Sequence, residues 1–335
     1  MHRLRLLFDN FTLALLGVVA LASVLPAAGA AATAFERLTW AAIALLFFLH
    51  GARLSRQAIV AGALHWRLHL LVFGCTFVLF PLIGLAFTPL LQPLLGRELW
   101  VGMLYLCALP GTVQSAIAFT AMARGNLPAA VCSASASSLI GILLTPLLVG
   151  LMIGAQAGSV PLGEAVLKIG VQLLLPFAAG HLLRPVIGGW VQGNQRWLKY
   201  VDQGSILLVV YTAFSAAVIG GLWHTVPPQA LALLTVLCCA LLALVLWATR
   251  AISRALGFPL EDEITIVFCG SKKSMATGVP MAQILFAGGA VGAAILPLML
   301  FHQIQLMVCA VLAQRYGRRP EPGIQGDSCS AASRA

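Results

Sequence analysis

The sequence predicts an all-α integral membrane protein of ten transmembrane helices, arranged as two inverted five-helix repeats with broken, crossing fourth and ninth helices. Three observations lead there. Of 335 residues, 60% are hydrophobic and only 9% charged, and the mean hydropathy is +0.97. The apolar residues gather into ten runs, most close to the roughly 20 residues needed to cross a hydrocarbon core. Two of these runs, in corresponding places of the two halves, are interrupted by polar or helix-breaking residues.

In order, the runs cover 11–30, 38–54, 68–91, 98–122 and 127–154, then 165–187, 205–223, 230–249, 264–286 and 290–312. The first follows Arg3 and Arg5 and ends in LPAAGAAA, which also has the look of a secretory leader with a small-residue cleavage site. We read it as an uncleaved helix, because removal leaves nine spans and destroys the symmetry. Ten spans divide into five and five, and an odd count forces the second half to enter the membrane in the opposite orientation. The predicted units are therefore 1–154, 155–315 and a polar cytoplasmic tail, 316–335, whose small, polar residues from Glu321 onward are expected to be disordered.

The net charge of +10 does not point to nucleic acid, because the basic residues stand singly between apolar runs. Topology accounts for them. A cytoplasmic amino terminus places Arg3, Arg5, Arg53, Arg56, Arg67, Arg124, Arg184, Arg196, Lys199, Arg250, Arg254, Arg315, Arg318 and Arg319 inside, and Arg37, Arg97 and Lys168 outside. Both termini are then cytoplasmic, in the inner membrane of a bacterium. Trp66, Trp100 and Trp223 read as interfacial anchors. The eight cysteines form no CxxC pattern and mostly sit in apolar runs, as small packing residues rather than disulfides or metal ligands.

In the fourth run, LPGTVQS (109–115) joins Pro110, which has no amide proton, to the conformationally loose Gly111. Thr112, Gln114 and Ser115 supply polar groups at the same depth. A plain proline kink and a true unwinding both satisfy this pattern. The ninth run is sharper. FCGSKKS (268–274) follows Gly270 with Ser271, Lys272, Lys273 and Ser274, and at 1.5 Å per residue the lysines lie ~13 Å beyond Glu263 and ~20 Å before Phe286. A charged lysine at that depth costs roughly 2.5 to 3.5 kcal/mol on insertion scales. Adjacent helical residues diverge by about 100°, so both cannot snorkel to one surface.

The companion runs carry Ser133 and Ser137 on one face of the fifth, and His302 and Gln305 on one face of the tenth. The serines suit close helix packing as well as ligand binding, and the His–Gln pair suits interhelical bonding as well as a ligand. No Asp or Glu falls inside a predicted run; Asp202 and the 261–263 cluster lie at edges or in loops. Buried positive charge without an acidic counterpart makes a site for an anion.

LHGARLS near Leu49, LHWRLH at Leu64, the LPG of the fourth run, ARGN at Ala123, LLTPLL at Leu143 and CGSKKSMATGVPMAQILF resemble the SBF-like branch of the bile acid:sodium symporter family, over Phe8 to about Arg315. The resemblance implies panel and core domains whose broken helices cross at their unwound centres. In the sodium-coupled branch that crossing holds two sodium ions. Laid onto this chain, Ser115 keeps a ligand position, the neighbouring Asn position holds Ala116, the hydroxyls fall near Ser133 and Ser135, the carboxylate falls on Phe268 and the glutamine on Lys272. A site that exchanges its carboxylate for an ammonium is poorly suited to sodium.

The function expected is secondary transport of a small organic anion through a lipid bilayer, with no cofactor, no metal site beyond Ser115 and Ser133 should sodium bind, and no obligate protein partner. Lys272 is expected to stand in the place of a sodium ion, with transport uncoupled or driven by H+ through Lys272, Lys273 or His302. Two other classes stay open: a regulatory membrane protein that moves no cargo, and a hydrolase using Ser271 or Ser274 with a neighbouring lysine as base.

Overall fold

The computed structural model describes residues 10–53, 65–153, 167, 170–221, 226–286 and 291–319. Arg3, Arg5, Arg56, Lys168, Trp223, the predicted join at 154/155 and the tail from 320 lie outside the described residues. Those described are mostly helical, with no strand among them. In hydrocarbon each backbone amide needs an internal partner, which a helix supplies from its own chain.

The elements run α1 (Asn10–Val24), α2 (Gly29–Arg53), α3 (Trp66–Leu95), α4 (Arg97–Ala108), α5 (Gln114–Met122), α6 (Leu127–Ile153), α7 (Leu175–Gly193), α8 (Gln195–Ile219), α9 (Pro228–Ala255), α10 (Leu260–Gly270), α11 (Met275–Leu285) and α12 (Val291–Gly317). Seven helices among the described residues are long and apolar enough to cross a membrane; for α7 this includes a π turn, Gly170–Leu174, at its start. A second π turn, Cys75–Leu79, lies inside α3. The predicted fourth and ninth runs are each a pair of short helices, α4/α5 and α10/α11.

The helices pack in two groups. In one, α2 lies along α7, and α1 and α2 lie against α8. A side chain on Gly51 would strike the Phe177 carbonyl and one on Gly180 the Phe48 carbonyl, so both glycines are needed for the α2–α7 approach. In the other, α4 packs on α3 and α12, while α10 packs on α3, α5, α6 and α9. Helix α8 joins the groups through α11 and α12.

Two sequence readings are corrected here. Helix α8 starts at Gln195 rather than at 205, so Asp202 sits within a helix, buried, with Arg53 of α2 at 2.5 Å. Hydropathy missed the start of α8 because it carries Arg196, Lys199 and Asp202, of which Asp202 is matched by Arg53 on another helix. The predicted tail likewise begins too early: α12 runs to Gly317, and Tyr316 donates to Glu263 Oε1 at 3.1 Å. Glu263 also meets Arg254 at 2.8 Å and Arg250 at 3.2 Å, and Asn126 donates to Asp262 at 2.8 Å. The Asn126 bonds tie the turn between α5 and α6, with Arg124 at φ 55°, to the start of α10, and the Glu263 bonds tie α9 and α12 to it.

Candidate functional site: the crossing of two broken helices

Helix α4 stops at Ala108 and α5 starts at Gln114; α10 stops at Gly270 and α11 starts at Met275. The unwound segments touch, backbone to backbone. Ser274 N donates to Pro110 O at 2.9 Å, and a Cβ on Gly111 would lie 3.1 Å from the Cys269 carbonyl oxygen and 3.7 Å from that of Lys272. Only glycine admits that approach without displacing backbone. Pro110, Gly111 and Gly270 therefore mark two real breaks, and a plain kink does not describe the fourth run.

Two backbone groups freed at the first break are met by side chains. Gly111 N donates to Ser137 Oγ at 3.1 Å, and Thr145 Oγ1 donates to Ala108 O at 3.0 Å. At the second break, Ser271 Oγ donates to Val267 O at 2.6 Å, closing the last turn of α10. Ser274 has the extended conformation of an N-cap (φ −87°, ψ 115°), and its Oγ accepts from Thr277 N at 3.3 Å. Both serines proposed as nucleophiles are thus engaged with backbone.

Lys272 and Lys273 are both fully buried. The Lys273 ammonium donates to three carbonyl oxygens, Thr76 at 2.8 Å, Cys107 at 2.8 Å and Leu109 at 2.7 Å, and lies 4.1 Å from the centre of the Phe80 ring. Its backbone is held as firmly. Lys273 N donates to Gln305 Oε1 at 2.9 Å, and Gln305 Nε2 donates back to Lys273 O at 2.8 Å. His302 Nδ1 lies 2.9 Å from Gln305 Nε2 and 3.4 Å from Lys273 O. The His–Gln pair of α12 is therefore a clamp on the second break.

Lys272 points elsewhere. Its hydrogen bond among the described residues is a long one, 3.5 Å to Ser115 Oγ, and Ser115 in turn donates to Thr112 Oγ1 at 2.8 Å. The ammonium lies 4.2 Å from the centre of the Phe119 ring and 5.6 Å from that of Phe268. Facing an aromatic ring contributes about 0.5 to 2 kcal/mol, well short of replacing full hydration. The ion pairs of the described residues lie elsewhere and involve neither lysine. Gln114, in the first turn of α5, is exposed, and Ser115, the hydroxyl nearest Lys272, is half-buried.

The residues expected at the site thus separate. Thr112, Ser115 and Lys272 form one cluster; Lys273, Ser274, His302 and Gln305 form another; Ser137 braces the first break. The ammonium with three carbonyl ligands is that of Lys273, whereas Lys272, expected in the place of a sodium ion, meets a hydroxyl and two rings. Ser133 accepts or donates at 2.6 Å with His69 Nδ1, away from the break, and the hydroxyl that reaches it is Ser137 rather than Ser135. The sequence reading missed His69, the carbonyls of Thr76, Cys107 and Leu109, and Tyr105, whose hydroxyl donates to Gly278 O at 2.6 Å. Pro81 was a usable signal for Thr76. In a π turn the amide that serves residue 76 is that of residue 81, and proline has none.

The position the resemblance gives to a carboxylate holds Phe268, whose ring is tilted against Phe119 and meets Tyr316 edge to face. Neither lysine lines either of two cavities among the described residues, although the second borders Cys107, a carbonyl partner of Lys273. One, of about 340 Å3, is lined by His181, Arg184 and Gln192 of α7. The other, about 180 Å3 and apolar, lies among Gly84, Trp100, Cys107 and Leu241.

Comparison with known proteins agrees with this architecture. The profile of the SBF-like CPA transporter family matches residues 9–318. An uncharacterized protein of Pseudomonas aeruginosa is 66% identical over 319 residues, 95% of this chain and 96% of its own. "Putative symporter YfeH" of Escherichia coli is 57% identical over 329 residues, 98% of each chain. "Sodium/bile acid cotransporter 7" of Rattus norvegicus is 28% identical over 281 residues, 82% of this chain and 81% of its own. Broken helices that cross around buried lysines, in a chain matched by this profile over nearly its full length, are the build of a membrane transporter, and the protein belongs to the SBF-like CPA transporter family.

Proposed function

We propose that the protein is a secondary transporter of small organic anions in a bacterial inner membrane, working by alternating access at the crossing, with Lys272 as the residue that meets the anion's charge. The observation that carries this reading is the state of Lys272: a buried ammonium whose bond to Ser115 is 3.5 Å long, beside two phenylalanine rings and the thiols of Cys269 and Cys309, and in none of the ion pairs of the described residues. An anion carboxylate arriving by way of Gln114 and Ser115 meets that ammonium together with the positive end of α5. Both lysines are closed off, so loading and release require the two helix groups to part.

Inverted pairing of 1–154 with 155–315, and cytoplasmic termini, belong to the same reading; the break in the fourth run of each half supports it. The name of the Rattus norvegicus relative supports an anion with a sizeable apolar body. Sodium coupling is not carried over, because Phe268 and Lys272 replace the groups that sodium requires.

The test is thermal unfolding of the purified protein against a library of organic anions, followed by uptake of the stabilising compounds into proteoliposomes. At least one carboxylate class is expected to stabilise the protein and to be taken up. Binding without flux points to the regulatory alternative, and no response to any anion removes the proposal.

A further inference from the structure

We infer that Lys273 is a tethered cation: its ammonium fills a site built from the carbonyl oxygens of Thr76, Cys107 and Leu109, and without that side chain the same three carbonyls bind a free monovalent cation. The inference concerns the crossing read above as a transport site, and deepens that reading by assigning the two lysines different tasks.

The three carbonyls are orphans for separate reasons. Thr76 lies in the π turn of α3, where the amide in register with it belongs to Pro81 and is missing. Cys107 loses the amide of Gly111 to Ser137 Oγ. Leu109 lies in the first break, past the end of α4. They converge within hydrogen-bond distance of one nitrogen, at 2.8, 2.8 and 2.7 Å. Three acceptors demand three N–H donors, and among side-chain nitrogens on a single centre only a protonated lysine has three; a neutral amine would turn a lone pair on a carbonyl.

A ring of backbone carbonyls is also how proteins replace the hydration shell of an alkali cation. The Phe80 ring, 4.1 Å away, adds the attraction of its face for positive charge. The cage does not need the lysine to assemble its walls. Pro81, the Ser137 bond to Gly111 and the Thr145 bond to Ala108 fix the carbonyls from outside. Gln305 fixes the Lys273 backbone, so a shortened side chain leaves the segment in place and the cage empty. A proton carrier would have to break one of the three bonds at each turnover, so Lys273 stays charged through the cycle.

The experiment is thermal unfolding of the full-length protein and of Lys273→Ala in ammonium, sodium, potassium or choline chloride at matched ionic strength. The wild type is expected to unfold at one temperature in all four. Lys273→Ala is expected to gain roughly 3 °C or more in at least one small cation relative to choline. A variant indifferent to the cation overturns the inference, as does a wild type that is stabilised by sodium over choline. Lys273→Met, whose apolar chain occupies the cage, is expected to be less stable than wild type and indifferent to the salt; equality with wild type is a second contradiction. Recovery of Lys273→Ala only from a small-cation buffer counts as support, and if it folds in no salt the wild-type and Lys273→Met arms decide. Organic-anion stabilisation in the same assay reports on the transport reading separately: a cation response without an anion response keeps the cage and removes the transporter.

Discussion

Lys272 and Lys273 are neighbours in sequence and opposites in surroundings. Lys273 spends every N–H of its ammonium on backbone carbonyls and has its own amide and carbonyl clamped by Gln305. Lys272 has a 3.5 Å bond to a serine and the faces of two phenylalanines. The segment between α10 and α11 is not helical, yet the two side chains still diverge, one toward α3 and α4 and the other toward α5. Equal burial therefore does not mean equal role: one ammonium completes the fold, the other is left with capacity for a ligand.

The contrast predicts a graded set of stability losses, measured by chemical or thermal unfolding. The largest is expected for Lys273→Met, which strands three carbonyls and should cost about 3 kcal/mol or more, since each unsatisfied buried group costs roughly 1 to 3. Gln305→Leu removes both bonds to the Lys273 backbone and should cost about 2 kcal/mol. A loss near zero would show that the break does not depend on its clamp. Ser137→Ala leaves Gly111 N without an acceptor and is expected to cost about 1 kcal/mol, and the same change at Ser133, away from the crossing, should not alter the Lys273 cage. The smallest effect is expected at Lys272→Met: replacing a poorly partnered buried charge by an apolar chain of similar length should change stability by less than about 1 kcal/mol, or raise it. A large loss there would erase the distinction between the two lysines.

Much of this was legible in the sequence. Pro110–Gly111 and the CGSKKS segment announced both breaks, because a proline and a charged pair are costly inside an apolar run unless the helix is interrupted. Burial of both lysines followed from their distance to either membrane edge. The partners did not follow. Thr76, Cys107 and Leu109 act through backbone carbonyls, which carry no mark in side-chain chemistry, and the π turn that frees Thr76 depends on a one-residue register shift within α3. Asp202 escaped hydropathy because Arg53, far away in the chain, neutralises it. Nor does residue order say which lysine meets the carbonyls, because in an unwound segment the backbone, not a helical period, sets the direction of each side chain.

The central claim is that Lys272 meets the cargo's charge, and the most direct measurement is stabilisation of wild type and Lys272→Met by the same organic anion, titrated under identical conditions. The account predicts a dose-dependent rise in unfolding temperature for wild type that is absent in a Lys272→Met protein of near-normal stability. Equal stabilisation of the two proteins would contradict it.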